Sequence, residues 1–493
     1  MALKEETVKL SVITGISIFF GLFFNILLGR RLGVSWQMDS FFVVIALFGW
    51  LGVFHTFFTA LYIPVFNEIK KNDEKDSLVF ADVVLKWVTI VSVVIVIIVL
   101  AFDDAVIRIL APGFTPQGIA LSIEINAILM VSLIFFTISY TVMLTLNALY
   151  YYSVPSVTYL FDPLFNIASV YLLVPSMGVK GIAVSYLVSN VMKAGFLLLY
   201  LHMKTGWKLT ARMYHPQVPA LINKSTRMAF SGFVWSLKDV IVRNIASRLG
   251  EGAVTLFSYA DKLVNILIQI TVVPLARVFY TRVSEWAASS KWEDIRWLFM
   301  RTIRISMLVA LFITGGSIVF LPSMLNIFFY QSKFSTGDIG ILSALFKLMV
   351  GYFLLLSFEV YLSRIIYSLK KVGIVTLSAV SSAVALFISI SMLSRHYGIY
   401  GLPLGVIFAE FLVCVIYYVC MKKALDLSMR ALMRRFLPMV IVALVFVSGG
   451  IFVGNIVNND LIMVFGVLPV WLLLYFLAAR ITAREELKIL FSK

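Results

Sequence analysis

The stretch VTIVSVVIVIIVL, residues 88–100, carries no charged side chain, and solid apolar runs like it recur along the whole chain. A helix crosses a hydrocarbon core of about 30 Å with about 20 apolar residues, because each adds about 1.5 Å of rise. Backbone amides and carbonyls in lipid must pair within their own segment, so unbroken runs of this kind are helices. A transmembrane barrel would show strands of about ten residues with alternating polarity, which these runs exclude. A soluble fold is excluded too: 61% of the residues are hydrophobic and 13% charged, against about 25% charged in soluble domains.

Apolar runs between charged breaks predict helices near 9–29, 38–65, 79–101, 119–148, 153–174 and 180–203, then a polar, basic connection at 204–226. Further helices follow near 227–249, 252–275, 303–322, 339–363, 372–394, 399–421, 435–455 and 460–479. The fold class is therefore an all-α polytopic membrane protein of about fourteen spans. The charged opening MALKEETVKL has no small-residue cleavage site near it, so the first run reads as a retained helix.

With the N-terminus placed inside, the inner loops and tails hold roughly three times as many Lys and Arg as the outer loops. That assigns both termini to the cytoplasmic side. The net charge of +16 then reports topology and contact with anionic lipid, and nucleic acid is not an expected partner. Cys414 and Cys420 sit six residues apart on one run, about 600° of helical turn, so they face different ways. The four histidines, His55, His202, His215 and His396, have no ligand spacing, and no metal site is expected.

The chain also repeats. Gly178-Val-Lys-Gly181 precedes the sixth run and Gly398-Ile-Tyr-Gly401 the twelfth, at an offset of 220 residues. Phe114-Thr115 with Ile119, and Phe334-Ser335 with Ile339, share that offset, and Asp39 and Asp261 are 222 apart. The pattern predicts two six-helix lobes in a parallel pseudo-repeat, plus two extra C-terminal helices. The domains expected are an N-terminal lobe at 1–203, a cytoplasmic amphipathic linker at 204–226, a C-terminal lobe at 227–421, and the last two helices with a cytoplasmic tail at 422–493.

Ionisable groups inside spans cost roughly 2.5–3.5 kcal/mol each and face a cavity or a partner. The seventh run carries Lys238, Asp239 and Arg243; the eighth carries Asp261 and Lys262. Asp239 and Arg243 are four apart and can pair along the helix. Lys238, Lys262 and Arg243 are candidates to attract an anionic headgroup such as a pyrophosphate, whose oxygens suit cationic donors. The alternative is that each Lys pairs locally with an acid and only supports packing. Arg30, Arg31 and Asp39 lie at the hinge between the first two runs, as an ion-paired gate or as interfacial snorkelling. Asp239, Glu359 and Glu410 are candidates for proton or ion coupling. Asp162-Pro163 marks a break in the fifth run, where proline frees a carbonyl. No nucleotide-binding loop of the form GxxxxGK[ST] is present, and no long outer loop exists to hold an active site, so the chain is not expected to be an enzyme.

These same segments resemble a known family. GLFFNILLGRRLGVSWQMDSFFVV (21–44), ILAPGF (109–114), LFSYADKLV (256–264) and FFYQSKFSTGD (328–338) are similar, in order, to the MurJ/MviN lipid II flippases. The resemblance implies two lobes around a central cavity, a groove for the polyprenyl tail shaped by the last two helices, and alternating access driven by membrane potential or a Na+ or H+ gradient, with no bound cofactor. It implies the bacterial inner membrane and a lipid-linked glycan substrate, with membrane lipids and glycan-synthesis enzymes as partners. The family's cavity arginines of the first helix fall here at Ile18 and Phe24, the neighbouring acid at Asn25, and the arginine of Y-A-D-R-L at Lys262. Lysine is a point charge where arginine offers a two-pronged donor. Residues 46–58, ALFGWLGVFHTFF, replace a cationic, proline-containing stretch of the family's second helix.

The function expected first is translocation of an undecaprenyl-pyrophosphate-linked saccharide, a cell-surface or exopolysaccharide unit, to the outer leaflet. A lipid II flippase of peptidoglycan synthesis is the next reading. A scaffold for glycan synthesis without transport, and a cation-coupled drug exporter, are the readings of other classes; the basic candidate cavity disfavours the exporter.

Overall fold

The computed structural model describes residues 2–426, 428–457 and 459–482. The apolar runs are largely helical, and no strand occurs among the described residues. In the compact unit Met1–Thr255 the main helices are α1 (Ala2–Leu32), α2 (Trp36–Gly52), α3 (Tyr62–Asn72), α4 (Glu74–Ala101), α5 (Asp103–Leu110), α6 (Pro116–Ala148), α7 (Phe161–Leu172), α8 (Lys180–Thr205) and α9 (Gln217–Ala246). The second unit, Leu256–Lys493, takes all but the first turn of α10 (Ala253–Ala288). It continues with α11 (Trp292–Phe328), α12 (Thr336–Ser368), α13 (Val372–Tyr397), α14 (Gly401–Lys422), α15 (Met429–Ile456) and α16 (Leu468–Thr482).

Ten stretches of the described residues are long and apolar enough to cross a bilayer singly, fewer than the runs read from sequence. Four physical reasons account for the difference. Val372–Lys422 is one apolar stretch that a 3-10 turn at Gly398–Tyr400 divides into α13 and α14. The fifth run, with Pro155 and Pro163, is divided into Ser153–Val157, a 3-10 turn at Thr158–Leu160 and α7 of 12 residues. The seventh run lies in α9, whose Lys238, Asp239 and Arg243 dilute its apolar character. The last apolar helix, Ile462–Ala478, is short. On the surface, Ile97, Leu172, Phe408 and Val419 are each more than half exposed, a pattern suited to lipid as solvent rather than water.

The repeat is visible in local geometry within each unit. Thr115 caps α6 by accepting from the Gly118 amide, and Ser335 caps α12 by accepting from the Asp338 amide; both helices have 33 residues. Gly178 and Gly398 both take positive φ, 58° and 55°, a region that glycine enters without steric cost. A Cβ at Gly181 would fall on Leu173, and one at Gly401 on Leu393 and Ser394. Ser169 donates to the Asn166 carbonyl, and Ser389 to the Leu386 carbonyl. Each of these features recurs 220 residues later.

In the second unit, α15 and α16 dock on α11. Trp471 is 6% exposed and lies within 5.1–5.9 Å, centroid to centroid, of Phe312, Phe320, Phe446 and Tyr475. Its indole N–H donates to the Phe446 carbonyl at 3.0 Å. A Cβ at Gly450 would approach Val319 to 2.8 Å, so glycine lets α15 come close to α11.

Candidate functional site

The charged stretch of α9 is built on one helical face and half of the next. The Arg243 side chain is 7% exposed and contacts the Asp239 carboxylate at 3.3 Å, while Asp239 is 62% exposed. Arg243 also donates to the Asp239 carbonyl at 3.0 Å. The guanidinium is therefore anchored along its own helix, and the open side of the pair is the carboxylate. The Lys238 ammonium lies 6.0 Å from the Trp235 ring, a cation–π distance. The Trp50 indole donates to the Phe233 carbonyl at 3.2 Å, with ring centroids 4.8 Å apart, which fixes α9 against α2.

Asp39 sits in the first turn of α2 and is 2% exposed. Its carboxylate accepts from the Gly252 amide at 2.6 Å, the Thr255 amide at 2.7 Å and the Thr255 hydroxyl at 2.6 Å. These are free donors of the first turn of α10, where a negative charge meets the positive end of the helix dipole. The Trp36 amide donates to Glu251 at 3.2 Å, closing the same joint. Arg30 and Arg31 are exposed at the end of α1. Nearby, a Cβ at Gly113 would strike the Ser247 backbone, and Asn244 donates to the Ile109 carbonyl at 2.6 Å. The sequence motif ILAPGF is thus the turn on which the end of α9 rests.

A polar seam that the sequence did not single out joins α7, α8 and α6. Lys193 donates to Asp162 at 2.8 Å, and Ser189 donates to the other carboxylate oxygen at 2.5 Å. One turn on, Ser185 donates to the Asn166 carbonyl oxygen at 2.6 Å, and Asn190 donates to Ser132 at 2.9 Å. The Asp162 side chain is 40% exposed and Lys193 11%. The available signal was the spacing of polar residues four apart on each of two apolar runs.

At the start of α4, Lys86 donates to Asp82, to the Arg212 carbonyl at 2.8 Å and to the Thr210 carbonyl. This clamps the non-helical connection after α8. A cavity of about 900 Å³ lies at the same end, lined by Lys70, Lys75 and Lys204 with Asp73, Glu74 and Tyr151. The opposite end of the unit is acidic. Asp103 accepts from Asn126 at 2.8 Å, and burial, seconded by the neighbouring Asp104, raises its carboxyl above the usual range despite that bond. Asp104 pairs with Arg108 at 2.8 Å.

In the second unit, Asp261 and Lys262 are half-buried on α10, and Asn265 donates to the Asp261 carbonyl at 2.9 Å. Glu359 on α12 is 6% exposed and Glu410 on α14 is fully buried. The two helices pack together, and the Cys414 thiol lies 3.5 Å from the Leu355 carbonyl. Both carboxyls lie within electrostatic reach of Cys414 and Tyr417. The structure thus joins Asp239 to Arg243 and Asp39 to the start of α10, while Lys238 and Lys262 belong to different units.

The sequence model of a family described as lipid II flippase MurJ matches residues 28–472. A probable lipid II flippase MurJ of Aquifex aeolicus is 22% identical over 492 residues, covering 97% of this chain and 94% of the relative. One from Buchnera aphidicola (subsp. Acyrthosiphon pisum) is 25% identical over 391 residues, covering 76% and 75%. Among solved structures, a lipid II flippase MurJ in an inward closed conformation superposes with a TM-score of 0.80 at 16% identity, over 97% of this chain and 99% of that one. An inward-facing MATE-family multidrug resistance transporter of the MOP superfamily gives 0.74 at 15% identity, over 85% and 98%. At such identities these likenesses speak for the fold.

Proposed function

This chain belongs to the lipid II flippase MurJ family, and we propose that it carries lipid II, an undecaprenyl-pyrophosphate-linked saccharide, between the leaflets of a bacterial inner membrane. The observation that carries this reading is the family match across residues 28–472, which covers both charged stretches as well as the helical frame. It reverses the order of preference drawn from sequence, where the missing arginines at Ile18 and Phe24 favoured a surface polysaccharide unit. Four other changes of charge within a family do not by themselves change its cargo, and the matched relatives are all described as lipid II flippases.

On this reading the work is transport and no bond in the substrate is made or broken. Residues 1–203 and 227–421 act as the two lobes, 204–226 as the linker, and 422–493 as the extra helices and tail; of that tail, 483–493 lie outside the described residues. Lys238 and Lys262 attract the pyrophosphate, and the Asp239–Arg243 pair sets the charge beside Lys238. A buried ammonium over an indole suits this role, because a desolvated cation binds phosphate oxygen more strongly than a hydrated one. Asp39 holds the joint at the start of α10 and makes it a gate. Both termini are cytoplasmic by the distribution of Lys and Arg. Glu359 and Glu410 are buried acids available for coupling to a proton or cation gradient.

Complementation of a strain depleted of its lipid II flippase tests this reading. Growth restored by the wild-type chain and lost with Lys238→Ala or Lys262→Ala, at equal membrane levels, is the expected result. A chain that sustains flipping of another lipid-linked saccharide but not of lipid II would return the surface-polysaccharide reading to first place.

A further inference from the structure

The two units close the same seam by different means. The 220-residue offset that matches Gly178 to Gly398, Gly181 to Gly401 and Ser169 to Ser389 sets Asp162 against Ser382 and Lys193 against Val413. Ser382 is 4% exposed and Val413 fully buried. The corresponding seam of the second unit therefore closes without this ion pair. Asn166 and Ser185 are replaced there by Leu386 and Gly405, and a Cβ at Gly405 would strike Ile390. Direct packing takes the place of the hydrogen bonds.

A charged pair within an apolar bundle is expensive, and replacing such a pair by well-packed neutral residues is often neutral or stabilising. The frame does not require Asp162 and Lys193, since its duplicate does without them. What the first unit has instead is a group of hard oxygen atoms on two adjacent turns: the Asp162 carboxylate, the Ser189 and Ser185 hydroxyls and the Asn166 carbonyl. Hard cations are held by oxygen sets of this kind. A positive group already rests there, the Lys193 ammonium at 2.8 Å. The carboxylate keeps 40% of its side chain exposed, so it remains open to an ion from outside the seam. It also lies on the first turn of α7, directly after the 3-10 turn at Thr158–Leu160.

We propose that the seam around Asp162 is a binding site for a small monovalent cation of the sodium class, and that the tethered ammonium of Lys193 holds the cation's place in the conformation seen here. Exchange of one positive charge for the other would leave the charge of the seam unchanged while freeing α8 from α7. The consequence for transport, a sodium-dependent step at the bend before α7, rests on the flippase reading above; the binding itself does not.

Sodium binding to the purified full-length chain tests this, with choline chloride holding ionic strength constant. Lys193→Met removes the tethered charge and keeps the apolar stem, and should bind sodium at least tenfold tighter than wild type. The double variant Asp162→Ser, Lys193→Val installs the residues of the second unit, and should keep the wild-type melting temperature yet bind no sodium at this site. Should Lys193→Met fail to fold, sodium should raise the melting temperature of the wild type and leave that of the double variant unmoved. Sodium binding by the double variant equal to that of Lys193→Met, or a double variant that no longer folds, would overturn the proposal, the second because the pair would then be structural. If sodium binds as described but no lipid is flipped, the transport reading fails and the site stands.

Discussion

The first unit is held at its charged positions by hydrogen bonds, the second by close packing of rings and glycines. In the first, Asp39, Asp82 and Asp162 each gather two or more donors from other segments. In the second, Trp471 gathers four aromatic rings, and Gly401 and Gly405 sit directly on the neighbouring helix. Both units derive from one pattern, so the frame does not dictate the filling. Polar seams can be exchanged one bond at a time, which suits a part that must change its contacts; ring clusters come apart only as a whole.

That contrast can be broken by substitution. Trp471→Ala should have the largest effect, about 3–5 kcal/mol of lost stability, as expected for emptying a buried aromatic site; thermal unfolding in detergent reads it. A loss below about 1 kcal/mol would mean that α15 and α16 are only loosely docked. Asp39→Ala strands two backbone amides and a hydroxyl and should cost about 2–4 kcal/mol, whereas Asp39→Asn, which keeps an acceptor, should cost less. Equal losses from both would assign the effect to charge rather than to the bonds. Gly181→Ala and Gly401→Ala should destabilise alike, by about 1–3 kcal/mol of overpacking, and a large difference between them would break the equivalence of the two units. The smallest effect is electrostatic. Asp104→Asn removes one of the two influences that raise Asp103, so the Asp103 carboxyl should titrate at lower pH by NMR, and an unmoved titration would leave burial as the whole cause.

The contrast was only half legible in the sequence. Solid apolar runs gave the helices because lipid leaves no other way to satisfy the backbone. The repeat could be read because glycine and capping residues mark special backbone geometry, and Gly178, Gly398, Thr115 and Ser335 do so at a fixed spacing. The partners of Asp39 could not be read in the same way. A search among side chains for a charge to match it finds arginines, but the donors are two amides and a hydroxyl more than 200 residues away, and helix-end amides have no signature in a one-dimensional string. The pair of Asp162 and Lys193 was hidden for a related reason. Spacing reports the face of a single helix, and these residues lie on two helices either side of a break at Pro155 and Pro163.

The whole account depends on a lipid-bearing phosphate being carried past Lys238 and Lys262. The most direct measurement follows fluorescent lipid II between leaflets of proteoliposomes by quencher accessibility. Wild type should expose the inner pool, Lys238→Ala, Lys262→Ala should slow exposure at least tenfold, and empty vesicles should show none. Equal rates for the wild type and the double variant would contradict the role given to these two lysines, and a wild-type rate no faster than empty vesicles would contradict lipid II as the cargo.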